Sequence, residues 1–452
     1  MRKYAILGLY VTSATTLIIG CGGGGGSSSV PPSALDLSLA SALSAKSGGI
    51  GASFFTLPES TDYSRIPQDP KNRITGAKVA LGRLIYHDSY FGQDSKRADA
   101  KGTYSCASCH FAEGGFSSNR PQALSDGGWG FANFGKDRTF NPLFALSDID
   151  SPTIKSPSIL NCAYQKNQLW NGQFGATGVN IDTHANWTPG TPKDKNNLGY
   201  EGVETQAIAA QDVHRLKFNE LLITEAGYKG MFDAAFGDWP VYQRYSQVTA
   251  GLAIAAYERT VLANRSPWQV YLRGDRAAMT DSMKRGALLF FGKADCVRCH
   301  TGPALNTMEF HGLGLKDLYQ QPGVINTNAG SPENLGRGGF TGNAADNYKF
   351  KVPQLYNTAQ APNLGHGASI ANVRDFIEYL NTGVAENGAV PGSQVDLLPL
   401  GLTSDEMDDL AAFVEQGLLD PNVLRYKPAS VLSGSAVPVN DRQARIDILG
   451  HP

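Results

Sequence analysis

The chain is poor in charge and has no excess of either sign. Asp, Glu, Lys and Arg make up 18% of 452 residues, and 39 basic against 41 acidic side chains leave a net charge of -2. An ordinary soluble domain is about 25% charged. With no basic surplus to displace counterions from phosphates, nucleic-acid binding is excluded. Cysteine is scarce as well: six residues cannot staple a chain of this length, so their spacing matters more than their number. Strand-like alternation is rare, while Gly, Pro and Asn punctuate the stretches 111–200 and 312–345. Glycine alone is in surplus, 51 residues or about 11% against roughly 7% in general. The composition predicts a mainly α fold with long loops, burying something besides its own side chains.

The N-terminus reads as an address. Met1-Arg2-Lys3 precedes an apolar run from Tyr4 to Gly20 that is too short and one-sided for a membrane span. Ile18-Ile19-Gly20-Cys21 resembles a bacterial lipobox, which implies cleavage after residue 20 and acylation of Cys21. Gly22 to Ser29 and Val30-Pro31-Pro32 have a tether's composition, and residues 21–50 are assigned to it. The expectation is an exported, lipid-anchored protein of the periplasm or cell surface. Gly22 lacks the aspartate that commonly retains lipoproteins at the inner membrane, which points to the outer membrane.

Two pentapeptides carry the chemistry. Cys106-Ala107-Ser108-Cys109-His110 and Cys296-Val297-Arg298-Cys299-His300 are both C-x-x-C-H, the attachment pattern of c-type haem. Two thiols at this spacing can add to the vinyl groups of one porphyrin, and the adjacent imidazole reaches the iron. A redox C-x-x-C or a zinc site would each use only part of the motif. Cys162 is left as a spare thiol, read as a small buried hydrophobe. Two covalent haems would fill the volume that a Gly-rich chain leaves open.

Periodicity places helices before both motifs, at 77–85 and 281–291, the second stopped by Gly292. The spacing predicts further helices over 245–262, and over 403–417 behind a Thr403/Glu406 capping box. Helix-then-haem occurs twice, which predicts two cytochrome c-like domains, 51–264 and 265–425, with a tail at 426–452.

The short blocks around these motifs resemble the bacterial di-haem cytochrome c peroxidase and MauG family from about Thr75 to Asp420. They include Leu81-Gly82-Arg83, Ser156-Pro157-Ser158-Ile159-Leu160-Asn161, Leu169-Trp170-Asn171-Gly172, Phe350-Lys351-Val352-Pro353 and His366-Gly367. The resemblance implies a peroxidatic haem held by His110, an electron-transfer haem held by His300, and Trp170 as the tryptophan between them. No histidine lies between His110 and His184 to close the first iron, so it is expected to be open and high-spin at rest.

The distal positions depart from the family. Gln206 matches its glutamine, but the proline position is Ala210 and the glutamate position is Leu216. Cleaving the O–O bond moves a proton between oxygens, so His214, two residues away, is the candidate acid/base. An insertion containing His184 and Trp187 separates Trp170 from Gln206 and is expected to cover the pocket or form a surface loop. At the second haem the distal ligand position falls on Leu380, so Tyr379 or Met308 would have to substitute, while His311 and His366 are read as hydrogen-bonding residues. The family's calcium, held between the haems, is put in doubt because its side-chain ligand position is Lys155.

The resemblance implies a di-haem c-type peroxidase that reduces hydrogen peroxide to water. Its electron donor would be a small c-type cytochrome or cupredoxin, and a homodimer is allowed for. The alternative is a MauG-like oxidase that modifies residues of a partner protein through high-valent iron. A simple electron carrier is the third reading.

Overall fold

Capping side chains set where the principal helices begin. The computed structural model describes residues 31–451. Helix α1 (Ala34–Lys46) opens on a capping box in which Ser33 and Asp36 bond each other's backbone N–H. Thr75 caps α2 (Gly76–His87), and Glu201 precedes α3 (Gly202–Val213). Ser246 and Thr249 form a second box at α4 (Gln247–Thr260), Thr280 caps α5 (Asp281–Phe291), and Asn372 caps α6 (Val373–Thr382). The box predicted at Thr403 and Glu406 opens α7 (Ser404–Ala412), which a single π-helical turn extends to Gly417. Asp441 caps α8 (Arg442–Leu449). Among the described residues, strand is confined to two antiparallel pairs, β1 (Gly128–Trp129) with β2 (Thr139–Phe140) and β3 (Phe310–His311) with β4 (Phe350–Lys351). The mainly α class with long loops is as expected.

Two helix crossings organise the core. α4, buried from Thr249 to Thr260, lies against both α2 and α3. α5 lies against α7 and α1. Both helices that precede a C-x-x-C-H motif make their crossing through glycine. A Cβ on Gly82 would fall 1.9 Å from Ala253 O, and one on Gly286 would fall 1.9 Å from Asp409 O. The repeat seen in the sequence is therefore a repeated packing device.

One expectation about organisation changes. Residues 34–46 are not tether: Leu39 and Leu43 are buried, and Asp36 pairs with buried Lys284 of α5 at 2.9 Å. An apolar stripe and a capped N-terminus outweigh the Gly/Ser composition just upstream. At the boundary expected between residues 264 and 265, Asn264 and Ser266 are buried and Arg425 donates to Asn264 Oδ1 at 2.9 Å. The tail at 426–452 is packed: Asp441 forms a buried pair with Arg138 at 2.8 Å, and Phe111, Phe131, Val439 and Ala444 cluster together. The signal sequence and Cys21 lie outside the described residues. Among the described residues no helix is long and apolar enough to cross a membrane.

Candidate active site

Both pentapeptides fold the same way. Cys106–Ser108 and Cys296–Arg298 are single 3-10 turns, and the histidine N–H of each motif bonds the carbonyl of its first cysteine, at 3.2 Å for His110 and 2.9 Å for His300. His300 Nδ1 lies 3.1 Å from Leu305 O, which orients the ring and leaves Nε2 free. Tyr86 donates to His110 O at 2.7 Å, while His110 Nδ1 is buried without a partner. Burial pushes both imidazoles down to about 4, so both are neutral and able to bind a metal. The cysteines of both motifs are unpaired, and burial pushes Cys109 and Cys296 up to about 12. Haem attachment uses both cysteines and the histidine of each motif, whereas zinc or redox chemistry would use only part of it. The donor set therefore fits a covalent haem at each motif.

One cavity gathers the residues of the first site. His110, Pro157, Ser158, Ile159, Cys162, Gln168, Leu169, Val203, Gln206 and Glu258 line it. Gln206 reaches it from α3 and Glu258 from α4. Leu216 is buried in the apolar core, so no carboxylate stands at the family's glutamate position. Glu258 went unnoticed in the sequence. Burial is the main cause that raises its carboxyl, to about 8, with Glu204 adding to it and Arg259 opposing. A carboxyl that holds its proton at neutral pH and opens into the cavity is a functional candidate. The signal available was a Glu-Arg pair at the end of a run of apolar and small residues, Gly251 to Tyr257.

His214 is not among the lining residues. It caps α3 and places Nδ1 2.9 Å from Asp150 Oδ2. Burial lowers its pKa, but Asp150's charge and hydrogen bond outweigh this and the net direction is up. Its charge depresses His110, so the two rings are electrostatic neighbours. Arg215 beside it pairs with buried Asp126 at 2.6 Å. His184 is exposed and stacks on buried Trp187, 4.1 Å between ring centres. The insertion that carries them is anchored by Arg337, which bonds Asn180 Oδ1 at 2.8 Å and Asn171 O at 3.1 Å. It therefore braces the turn just after Trp170.

Trp170 is held at both ends of the residue. Its Nε1 donates to Lys155 O at 2.7 Å, and its carbonyl accepts from Lys351 N at 2.7 Å. The indole meets His366 edge-on at 6.4 Å, and His366 stacks on Phe350 at 3.6 Å while bonding Asp317 Oδ1 at 3.1 Å. Near the second motif, His311 Nε2 is 3.2 Å from Glu309 and 3.6 Å from Cys299 Sγ. That cluster includes an attachment thiol and is part of the haem site. Tyr379, one of the two candidate ligands, donates its hydroxyl to Leu313 O and accepts from Glu386 N, so it is committed to backbone bonds. Met308 is half-buried, three residues beyond the carbonyl that orients His300. Calcium does not fit: Lys155 directs its own ammonium at carbonyls where an oxygen ligand would be needed.

Two C-x-x-C-H turns with buried, neutral histidines fit the attachment of two c-type haems. A family model described as di-haem cytochrome c peroxidase matches residues 76–277. A cytochrome-c peroxidase, IdrP1, of Denitromonas iodatirespirans is 29% identical over 84% of this chain and 91% of its own. The methylamine utilization protein MauG of Methylorubrum extorquens is 27% identical over 83% and 85%. In fold, the chain is similar to a MauG-like protein associated with microbial copper homeostasis, with a TM-score of 0.53 and 23% identity, covering 81% of this chain and 96% of that one. The diheme peroxidase BthA of Burkholderia thailandensis gives 0.51 at 18%, covering 81% and 91%. Over residues 76–277 the chain is thus similar to the di-haem cytochrome c peroxidase family, and over most of its length to cytochrome-c peroxidase and MauG proteins.

Proposed function

We propose that this protein reduces hydrogen peroxide to water, taking two electrons singly from a small c-type cytochrome or cupredoxin. The observation that carries the reading is the single cavity shared by His110, Gln206 and Glu258. Bound through Cys106/Cys109 and Cys296/Cys299, two haems would supply the redox chemistry, peroxide reduction at the first and electron relay at the second. Gln206 offers an amide to orient peroxide. Glu258 holds a proton that the departing hydroxide needs, since H2O2 + 2e- + 2H+ gives two waters. His214, held by Asp150, is the second candidate for that proton transfer. Trp170, held by Lys155 O and Lys351 N, would carry the electrons from the second site to the first. With Tyr379 committed elsewhere, Met308 is the remaining candidate ligand at the second site, and thioether ligation would raise its potential and favour relay.

The donor would dock through the small, weak surface usual for redox encounters. The protein would be exported and tethered to a membrane through an acylated Cys21. Steady-state peroxide consumption with reduced cytochrome c tests the activity: rapid turnover supports it. The MauG-like alternative, motivated by a relative of that name, predicts scarcely any turnover but oxidation of a partner protein. A simple carrier would leave peroxide untouched.

A further inference from the structure

Lys155 is 4% exposed, and its ammonium is surrounded by carbonyl oxygens rather than carboxylates. Nζ lies 3.0 Å from Ser118 O, 2.8 Å from Arg120 O and 3.2 Å from Pro362 O. Among the described residues it forms no ion pair. Burial, with Arg120 adding to it, lowers the amine to about 7, but three acceptors at hydrogen-bonding distance call for three N–H donors, which the ammonium has and a neutral amine lacks. An apolar side chain of similar length would avoid the desolvation of a buried charge, so the charge needs a reason to be there.

The reason lies in what the cradle joins. Ser118 and Arg120 follow the first haem motif, whereas Pro362 belongs to the half that carries the second. The backbone of Lys155 adds two more links, its N–H to His366 O at 2.9 Å and its carbonyl from Trp170 Nε1 at 2.7 Å. Lys351 repeats the device on the other side of Trp170. Its buried Nζ meets Gln165 Oε1 at 2.6 Å and Asn167 O at 2.7 Å, and its N–H bonds Trp170 O. Converging neutral oxygens are what a hard cation asks of a protein.

We propose that the Lys155 ammonium is a built-in structural cation, joining the two halves and orienting Trp170 so that no soluble divalent ion is required there. This rests on the reading of Trp170 as the electron route. The haem-loaded protein, washed with a chelator, is titrated with calcium chloride by calorimetry and by its thermal unfolding midpoint. The wild type should hold and bind no calcium at this site and unfold unchanged. Lys155→Asn, which supplies an oxygen and opens the cradle, should gain calcium binding and a calcium-dependent midpoint. Lys155→Met should slow electron transfer between the haems about tenfold or more through misplacement of the indole. Stoichiometric calcium in the wild type, lost on Lys155→Met, would overturn the proposal. So would a Lys155→Met protein with wild-type midpoint and inter-haem rate. Trp170→Phe separates the two readings: an unchanged inter-haem rate there removes the relay, while the calcium titration still decides the cation. If neither Lys155 variant folds, the wild-type calcium titration alone decides.

Discussion

At the residue scale, the proton is the discriminating particle. Glu258 opens into the same cavity as His110 and Gln206, whereas His214 stands outside its lining and is tied to Asp150. Glu258→Gln removes the transferable proton with little change of volume and should slow the peroxide step by about 100-fold. His214→Ala should then cost much less. Stopped-flow measurement of both variants against peroxide decides between them, and the reverse ranking returns the role to His214. Gln206 was legible because its block matches the family, and the absence of a carboxylate at Leu216 was legible too. Glu258 was not, because a helix buried on nearly every face gives no stripe to show which side chain meets a cavity. The cradle of Lys155 was hidden for another reason: its carbonyl partners lie 37, 35 and 207 positions away in the chain.

At the scale of elements, the helices that could be read were those with strong caps and a one-sided apolar face. α5 was predicted at its observed bounds from Met283, Ala287, Phe290 and Gly292. α1 was missed because a low-complexity stretch precedes it and its partner is α5, some 240 residues further on (roughly, by chain position). Its docking depends on Asp36. Burial raises that carboxyl, but Lys284, Ser33 and Tyr271 outweigh burial and the net direction is well down. A depressed carboxylate contributes stability that is present above its unfolded value and lost as pH falls through the folded one. Hydrogen exchange over 34–46 should therefore accelerate in acid, below about pH 4, before the α4 amides follow. The glycine crossings give a sharper expectation. Gly286→Ala would drive a methyl group into the α7 backbone and should destabilise by about 1–3 kcal/mol, read from denaturant unfolding. A surface glycine with open space around it, such as Gly230, should tolerate the same change.

Across the whole molecule, the C-terminal tail returns to the first half. Arg138 and Asp441 are almost fully buried and 303 residues apart in sequence. Arg138 also reaches Leu124 O and Gly130 O, so removing Asp441's charge would leave a buried guanidinium without its counterion. Asp441→Asn should cost about 3–5 kcal/mol, seen as a lowered midpoint in chemical denaturation. Sequence showed the tail as a remainder after the haem segments, since ion pairs across such a separation leave no local pattern.

The pair between Arg259 and Glu204 has a consequence for how the distal chemistry could change. Arg259 is wholly buried and grips both carboxylate oxygens of Glu204, at 2.8 and 2.6 Å. Glu204 is two residues from Gln206, and Arg259 is next to Glu258. The rivet fixes the register of α3 on α4 independently of the two side chains that enter the cavity. Those two positions can then be exchanged for other acids, amides or hydroxyls without re-laying the helices beneath them, which makes this scaffold interchangeable at its working face and rigid behind it.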